Sequence, residues 1–134
     1  MNSDQLSFFR LASDRMEWLS ARQKVIAENI ANGDTPGYRA RDVAPFENYV
    51  QTVSEAAGAR GVSGEQGGAA SFSDAMPVDT VDSPDSWSGN LSGNTVVLEQ
   101  QTVKAGETAV QYRLAANLYR KAHDLLNIAA SEGK

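Results

Sequence analysis

Ala27-Glu28-Asn29-Ile30-Ala31-Asn32-Gly33-Asp34-Thr35-Pro36-Gly37-Tyr38 is the stretch around which the chain is organised. Ile26 and Ile30 continue the apolar face of a long helical pattern, and then the chain must turn. Asn32-Gly33 offers the left-handed conformation just past a last helical turn. Pro36 cannot continue the helix. Asp34-Thr35-Pro36-Gly37 is strong turn chemistry, with proline preset at one position and glycine free at the next. Tyr38 places an aromatic ring directly after the turn.

Upstream, residues 3–32 read as one helix, with Ser3 or Asp4 as its N-cap. Phe9, Ala12, Met16, Leu19, Gln23, Ile26 and Ile30 recur at alternating steps of three and four, the seam of a coiled coil. Phe8, Leu11, Trp18 and Val25 widen it, while Arg10, Asp14, Glu17 and Arg22 lie mostly off it. No proline or glycine interrupts the run. At 1.5 Å per residue the helix is about 45 Å long.

Downstream, residues 39–45 read as a polar connection ending in Pro45, which suits a first helical position. Phe46, Tyr49, Val50 and Val53 then share a face of a short helix ending near Ala57, so 33–57 is turn plus short helix. Residues 58–94 form a long Gly/Ser/Asp-rich loop, flexible or extended. Its large apolar anchors are Phe72, Met76, Val78, Val81 and Trp87, with at most a short extended pair around 71–82. A loop of this length is unusual inside a compact domain, so it should drape over a neighbour or face solvent.

Residues 95–130 read as the second long helix, capped by Asn94 or Thr95. Val103, Val110, Leu114, Leu118, Leu125 and Ile128 make one apolar face. Leu98, Ala105, Ala109, Tyr112, Ala116, Tyr119 and Leu126 make a neighbouring one. Gly106 costs about 1 kcal/mol relative to alanine inside a helix, which predicts a bend or a close contact there. The expected fold is mostly α, a single unit over 1–134. Its two long terminal helices pair as an antiparallel coiled-coil-like hairpin around the middle loop.

Composition excludes more than it selects. The chain has no cysteine and one histidine, His123, so disulfides, thiolate metal sites and His-rich sites are excluded. A net charge of -5 argues against nucleic acid as a partner. Residues 51–94 carry 1 basic and 6 acidic side chains, whereas both ends are close to neutral. Packing through the ends would therefore avoid like-charge repulsion. No run approaches the roughly 20 apolar residues of a membrane helix, and Met1-Asn2-Ser3-Asp4 lacks the basic start of a cleaved signal peptide.

No catalytic set, cofactor motif or metal site emerges. His123 and Asp124 are adjacent on a helix and do not face each other. Asp79, Asp82 and Asp85 lack the spacing of a calcium loop. The glycines at 58, 61, 64, 67 and 68 lack the Gly-Lys-Ser/Thr element of a phosphate loop. The apolar faces are the constellation that carries information. Each long helix has more apolar surface than one antiparallel partner can cover, and a two-helix unit is poorly stable alone. The surplus is best buried against other subunits, and a head-to-tail interface that does not close yields a helical filament.

The string Ala27-x-Asn29-Ile30-Ala31-Asn32-x-x-Thr35-Pro36-Gly37-Tyr38 resembles the signature of bacterial flagellar axial proteins, the rod and hook family. The run on into Arg39-Ala40-Arg41-Asp42-Val43 and Phe46 looks most like that family's proximal rod subunits, and the resemblance resumes from Asn94 to about Ile128. It implies that the terminal helices pair and stack into a tube and that the middle makes subunit-specific contacts. The implied role is structural, within the proximal rod of the basal body. Implied partners are further copies of the chain, other rod proteins, the component joining rod to membrane ring, and the flagellar export apparatus. Export would need no cleaved signal, and no direct membrane insertion is implied. The implied assembly residues are Phe9, Met16, Leu19, Ile26 and Ile30 on the first helix. On the second they are Val103, Val110, Leu114, Leu118, Leu125 and Ile128. Asn29, Asn32, Thr35, Pro36, Gly37 and Tyr38 would orient the chain leaving the first helix, the asparagines capping local backbone or neighbouring subunits. The competing reading from another class is a soluble helical adaptor or secretion chaperone, a closed cytoplasmic dimer.

Overall fold

The computed structural model describes residues 3–61, 78–84 and 90–132. The elements in order are helix α1 (Ser3–Ala31), strand β1 (Arg41–Val43), helix α2 (Phe46–Gly61), strand β2 (Thr80–Asp82) and helix α3 (Leu98–Glu132). Phe72, Met76, Trp87 and most of the glycine-rich run lie outside the described residues, as do the side chains of Ser3 and Asp4.

The two long helices form an antiparallel hairpin. Near the turn, Asn29 meets Gln101; midway, Arg15 meets Gln111; near the open end, the rings of Phe9 and Tyr119 lie 5.1 Å apart edge to face. Partner numbers fall on one helix as they rise on the other. Along the heptad seam of α1, Leu19 and Ile26 are fully buried and Phe9 and Met16 half-buried, while Gln23 and Ile30 are exposed.

The buried core lies in the turn half of the hairpin. Trp18, Leu19 and Val25 of α1 cluster with Val43 and Tyr49, and Ile26, Ala40, Ala44 and Val96 are buried as well. The Trp18 indole packs edge to face on Phe46, and its Nε1–H donates to the Ala44 carbonyl at 2.8 Å. Arg15 lays its guanidinium 4.7 Å from the Trp18 ring and 4.8 Å from Phe46, a cation–π contact on both. Phe46, Val53 and Ala115 complete the layer.

The connection read as polar, 39–45, is largely buried. Its β1 pairs antiparallel with β2, placing Arg41 opposite Asp82, Asp42 opposite Val81 and Val43 opposite Thr80. Of the extended pair expected around 71–82, residues 71–77 lie outside the described residues, and 80–82 pair with β1, 39 residues upstream. Two main-chain bonds extend the pairing, from Ala44 N to Asp79 O and from Ser83 N to Ala40 O. Within 78–84, Val78 packs against the core and Ser83 is buried, while Asp79, Val81, Asp82 and Pro84 are exposed. Helix α2 runs four residues past the expected stop at Ala57.

Candidate assembly surfaces and the clamp that sets them

The signature turn is built residue by residue. Asn32 N–H is shared by the carbonyls of Glu28 and Asn29, and Gly33 N–H donates to Ile30 O, so the last turn of α1 tightens. Tyr38 N–H donates to Thr35 O across Pro36-Gly37, and Gly37 has φ +73°. Proline followed by a left-handed glycine is a type II turn. The left-handed residue expected at Asn32-Gly33 is thus Gly37. Gly33 serves close approach instead: a Cβ there would lie 3.0 Å from the Leu98 side chain and 3.3 Å from the Ile30 carbonyl.

Asn29 is fully buried at 0 % exposure. Its amide nitrogen donates to Arg41 O at 2.7 Å and to Gln101 Oε1 at 3.0 Å. Its amide oxygen accepts from Arg41 N–H at 3.0 Å and from the Tyr38 hydroxyl at 3.3 Å. One side chain thereby pins the backbone of β1 against α1 and joins both to α3. Asn32 donates to Glu28 O and accepts from Thr35 Oγ1. Both asparagines satisfy groups of their own chain.

Asn94 does not cap α3, which begins at Leu98; it caps α1 from the far side of the sequence. Its Nδ2 lies 2.9, 3.0 and 2.7 Å from the carbonyls of Asn32, Gly33 and Thr35. Two amide protons are shared among three acceptors in the turn that follows α1, two of which, Asn32 O and Thr35 O, also accept from the amides of Thr35 and Tyr38. Its Oδ1 accepts from Val96 N–H. Gly93, φ +78°, lies against Gly37, and Gly37 N–H donates to Ser92 O at 2.9 Å. Thr95 does not cap either; its hydroxyl accepts from Ala40 N–H and its amide donates to Tyr38 O.

A charged knot lies beside this clamp. Arg22 of α1 grips Asp42 of β1 through Nε at 3.1 Å and Nη2 at 3.3 Å. Lys104 of α3 donates to Asp42 Oδ2, the oxygen that Arg22 Nη2 also contacts, at 3.2 Å and to Ser83 Oγ at 3.2 Å. Burial opposes the charge on Asp42, yet the Arg22 hydrogen bond, the Val43 amide and the charges of Arg22 and Lys104 hold its carboxyl below the usual range. Across the core, burial and the neighbouring Glu17 and Asp14 push the Tyr49 hydroxyl up to about 12.

The sequence-derived assembly residues divide sharply. Leu19 and Ile26 are core, and Phe9 and Met16 lie in the seam. Val103, Val110, Leu114, Leu118, Leu125 and Ile128 are all 52–64 % exposed and line one outward face of α3. Ile30, Leu6, Phe8 and Leu11 add exposed apolar surface on α1. Tyr112, Tyr119 and Leu126 turn toward α1, where two grooves open. One, about 330 Å³, is lined by Leu19, Gln23, Thr108 and Tyr112; the other, about 350 Å³, by Phe8, Phe9, Leu125 and Leu126. Gly106 has nothing within 4 Å of a Cβ position, so the close contact expected there is absent. His123 is exposed, with Asn127 at hydrogen-bond distance. Among the described residues no cluster of acidic or histidine side chains could hold a metal, and no helix is long and apolar enough to cross a membrane.

The fold is a clamped helical hairpin with an uncovered apolar face on α3, the class of a helical protein with surface left to pack. The family described as flagella basal body rod protein matches residues 9–39, which contain the whole signature turn. The flagellar basal body rod protein FlgB of Agrobacterium fabrum is 36 % identical over 121 residues, covering 90 % of each chain. The FlgB proteins of Salmonella typhimurium and Escherichia coli are 30 % and 27 % identical over 115 residues, covering 78–79 % of this chain and 79–80 % of theirs. The chain belongs to the FlgB family of flagellar basal body rod proteins, and is a structural subunit of that rod.

Proposed function

We propose that the chain builds the proximal end of the rod by burying the outward face of α3 and the open half of the hairpin against neighbouring subunits. The single observation that carries this is the row of six exposed large apolar side chains from Val103 to Ile128. A helix with that much uncovered apolar surface is marginal in water and gains on association. Neighbours are further copies of the chain, other rod proteins and the component that joins rod to membrane ring. The role is mechanical, not catalytic: a drive shaft and export conduit. The subunit reaches its place through the flagellar export apparatus. The clamp at Asn29, Tyr38 and Asn94 serves this role by fixing the angle at which the two terminal helices leave the turn.

Leu114→Asp tests the proposal. It places a charge in the middle of the buried face, which costs several kcal/mol where water is excluded. Cells carrying it should lack rods and motility, while the purified variant keeps the helix content of the parent by circular dichroism. Normal rods with this variant would overturn the packing scheme.

A further inference from the structure

We propose that, before assembly, two copies of the chain close face to face through α3, antiparallel, with Leu114 on the two-fold axis. The proposal rests on the reading of the α3 face as the burying surface and assigns that face a second, self-complementary use.

The pattern of the face carries it. Outward from Leu114, Val110 and Leu118 stand four residues away, Glu107 and Lys121 seven, and Val103 and Leu125 eleven. All of these side chains are exposed. At about 100° per residue they fall in a stripe roughly 80° wide. An antiparallel copy centred on Leu114 places Val110 against Leu118, Val103 against Leu125 and Glu107 against Lys121, each contact made twice. A parallel copy in register sets Glu107 against Glu107 and Lys121 against Lys121. A parallel copy slid by two heptads restores one charge pair but abandons about half of the apolar row. The charge order therefore selects the antiparallel pair.

Periodicity agrees. The inward face of α3 keeps a seven-residue repeat through Thr108, Ala115 and Ala122, which suits the left-handed hairpin with α1. The outward row repeats at eleven, Val103, Leu114 and Leu125, and so runs nearly parallel to the axis of a straight helix. Covering it in two copies removes on the order of 1,000 Å² from water, the lower bound of a specific interface. Such a pair is weak enough to open and hides the face that the rod needs.

Single cysteines test the geometry cleanly, because the chain has none of its own. Under oxidised glutathione, Leu114→Cys should form a disulfide-linked dimer. Val103→Cys should not, since its two copies would lie about 33 Å apart, but a mixture of Val103→Cys and Leu125→Cys should cross-link. Sedimentation should show Glu107→Lys or Lys121→Glu weakening the dimer about tenfold and the double reversal restoring it. Cross-linking at both 114 and 103 in homodimers would show a parallel pair and overturn the proposal, as would a monomer at all concentrations with no Leu114→Cys disulfide. Either result leaves the rod assignment standing, since that reading is judged separately by rods and motility with Leu114→Asp.

Discussion

Single residues at the turn do work that their type alone does not announce. Gly37 is held at φ +73°, where a Cβ costs about 1–2 kcal/mol. Gly37→Ala should lower stability by about that amount in urea unfolding. Gly106 has open space around it inside a helix, so Gly106→Ala should raise stability by up to about 1 kcal/mol in the same measurement. Equal effects of the two would mean that backbone conformation does not separate them. Asp42 predicts the acid limb. Its folded carboxyl lies below the ordinary value and its unfolded one near about 3.9. The stability it contributes is complete above roughly pH 4 and is lost as pH falls through the folded value. Asp42→Asn should flatten that part of the pH–stability curve. It should also lower stability near neutral pH by about 3 kcal/mol, because Arg22 and Lys104 lose their shared partner.

At the scale of elements, α1 and α3 each carry two kinds of apolar position. Leu19 is packed against Trp18, Val25 and the groove wall of α3, so Leu19→Ala should cost about 2–4 kcal/mol in the isolated chain. Leu118 is exposed, and Leu118→Ala should change the isolated chain by no more than about 0.5 kcal/mol while impairing assembly. Similar losses in solution for both would place Leu118 in the core of the free subunit. The two short strands contribute little surface, but they carry Asp42 into the reach of Arg22 and Lys104. They thus act as a strap across the helix pair rather than as a sheet with its own core.

At the scale of the molecule, stability is graded along the hairpin. The turn half holds the buried core, the Asn29 and Asn94 networks and the charged knot. The open half has half-buried rings at Phe9 and Tyr119 and exposed leucines on α3. Hydrogen exchange on the dilute chain should therefore find strong amide protection around 18–30 and 95–110, and weak protection in 5–14 and 115–130. The weakly protected ends should become protected in assembled rods. Uniform protection of the free chain would mean that the open half needs no partner.

Much of this was determined by the sequence alone. The heptad of Phe9, Met16, Leu19 and Ile26, the absence of helix breakers and the Pro36-Gly37 stop specify a long helix and its end, because these are local effects repeated over many residues. The flagellar signature is equally local, a short string within one turn. What the tertiary structure decided is everything that joins distant residues. Asn94 caps a helix that ended some sixty residues earlier, Asp42 is shared by Arg22 and Lys104, and β2 pairs with β1 across about forty residues. A polar residue in a loop shows its type but not its partner, and its partner here is reached only when the hairpin closes. The same closure settled which apolar stripe lies partly against α1 and which faces away from it. On α3 the two stripes look alike in sequence, and packing against α1 leaves the row from Val103 to Ile128 outside.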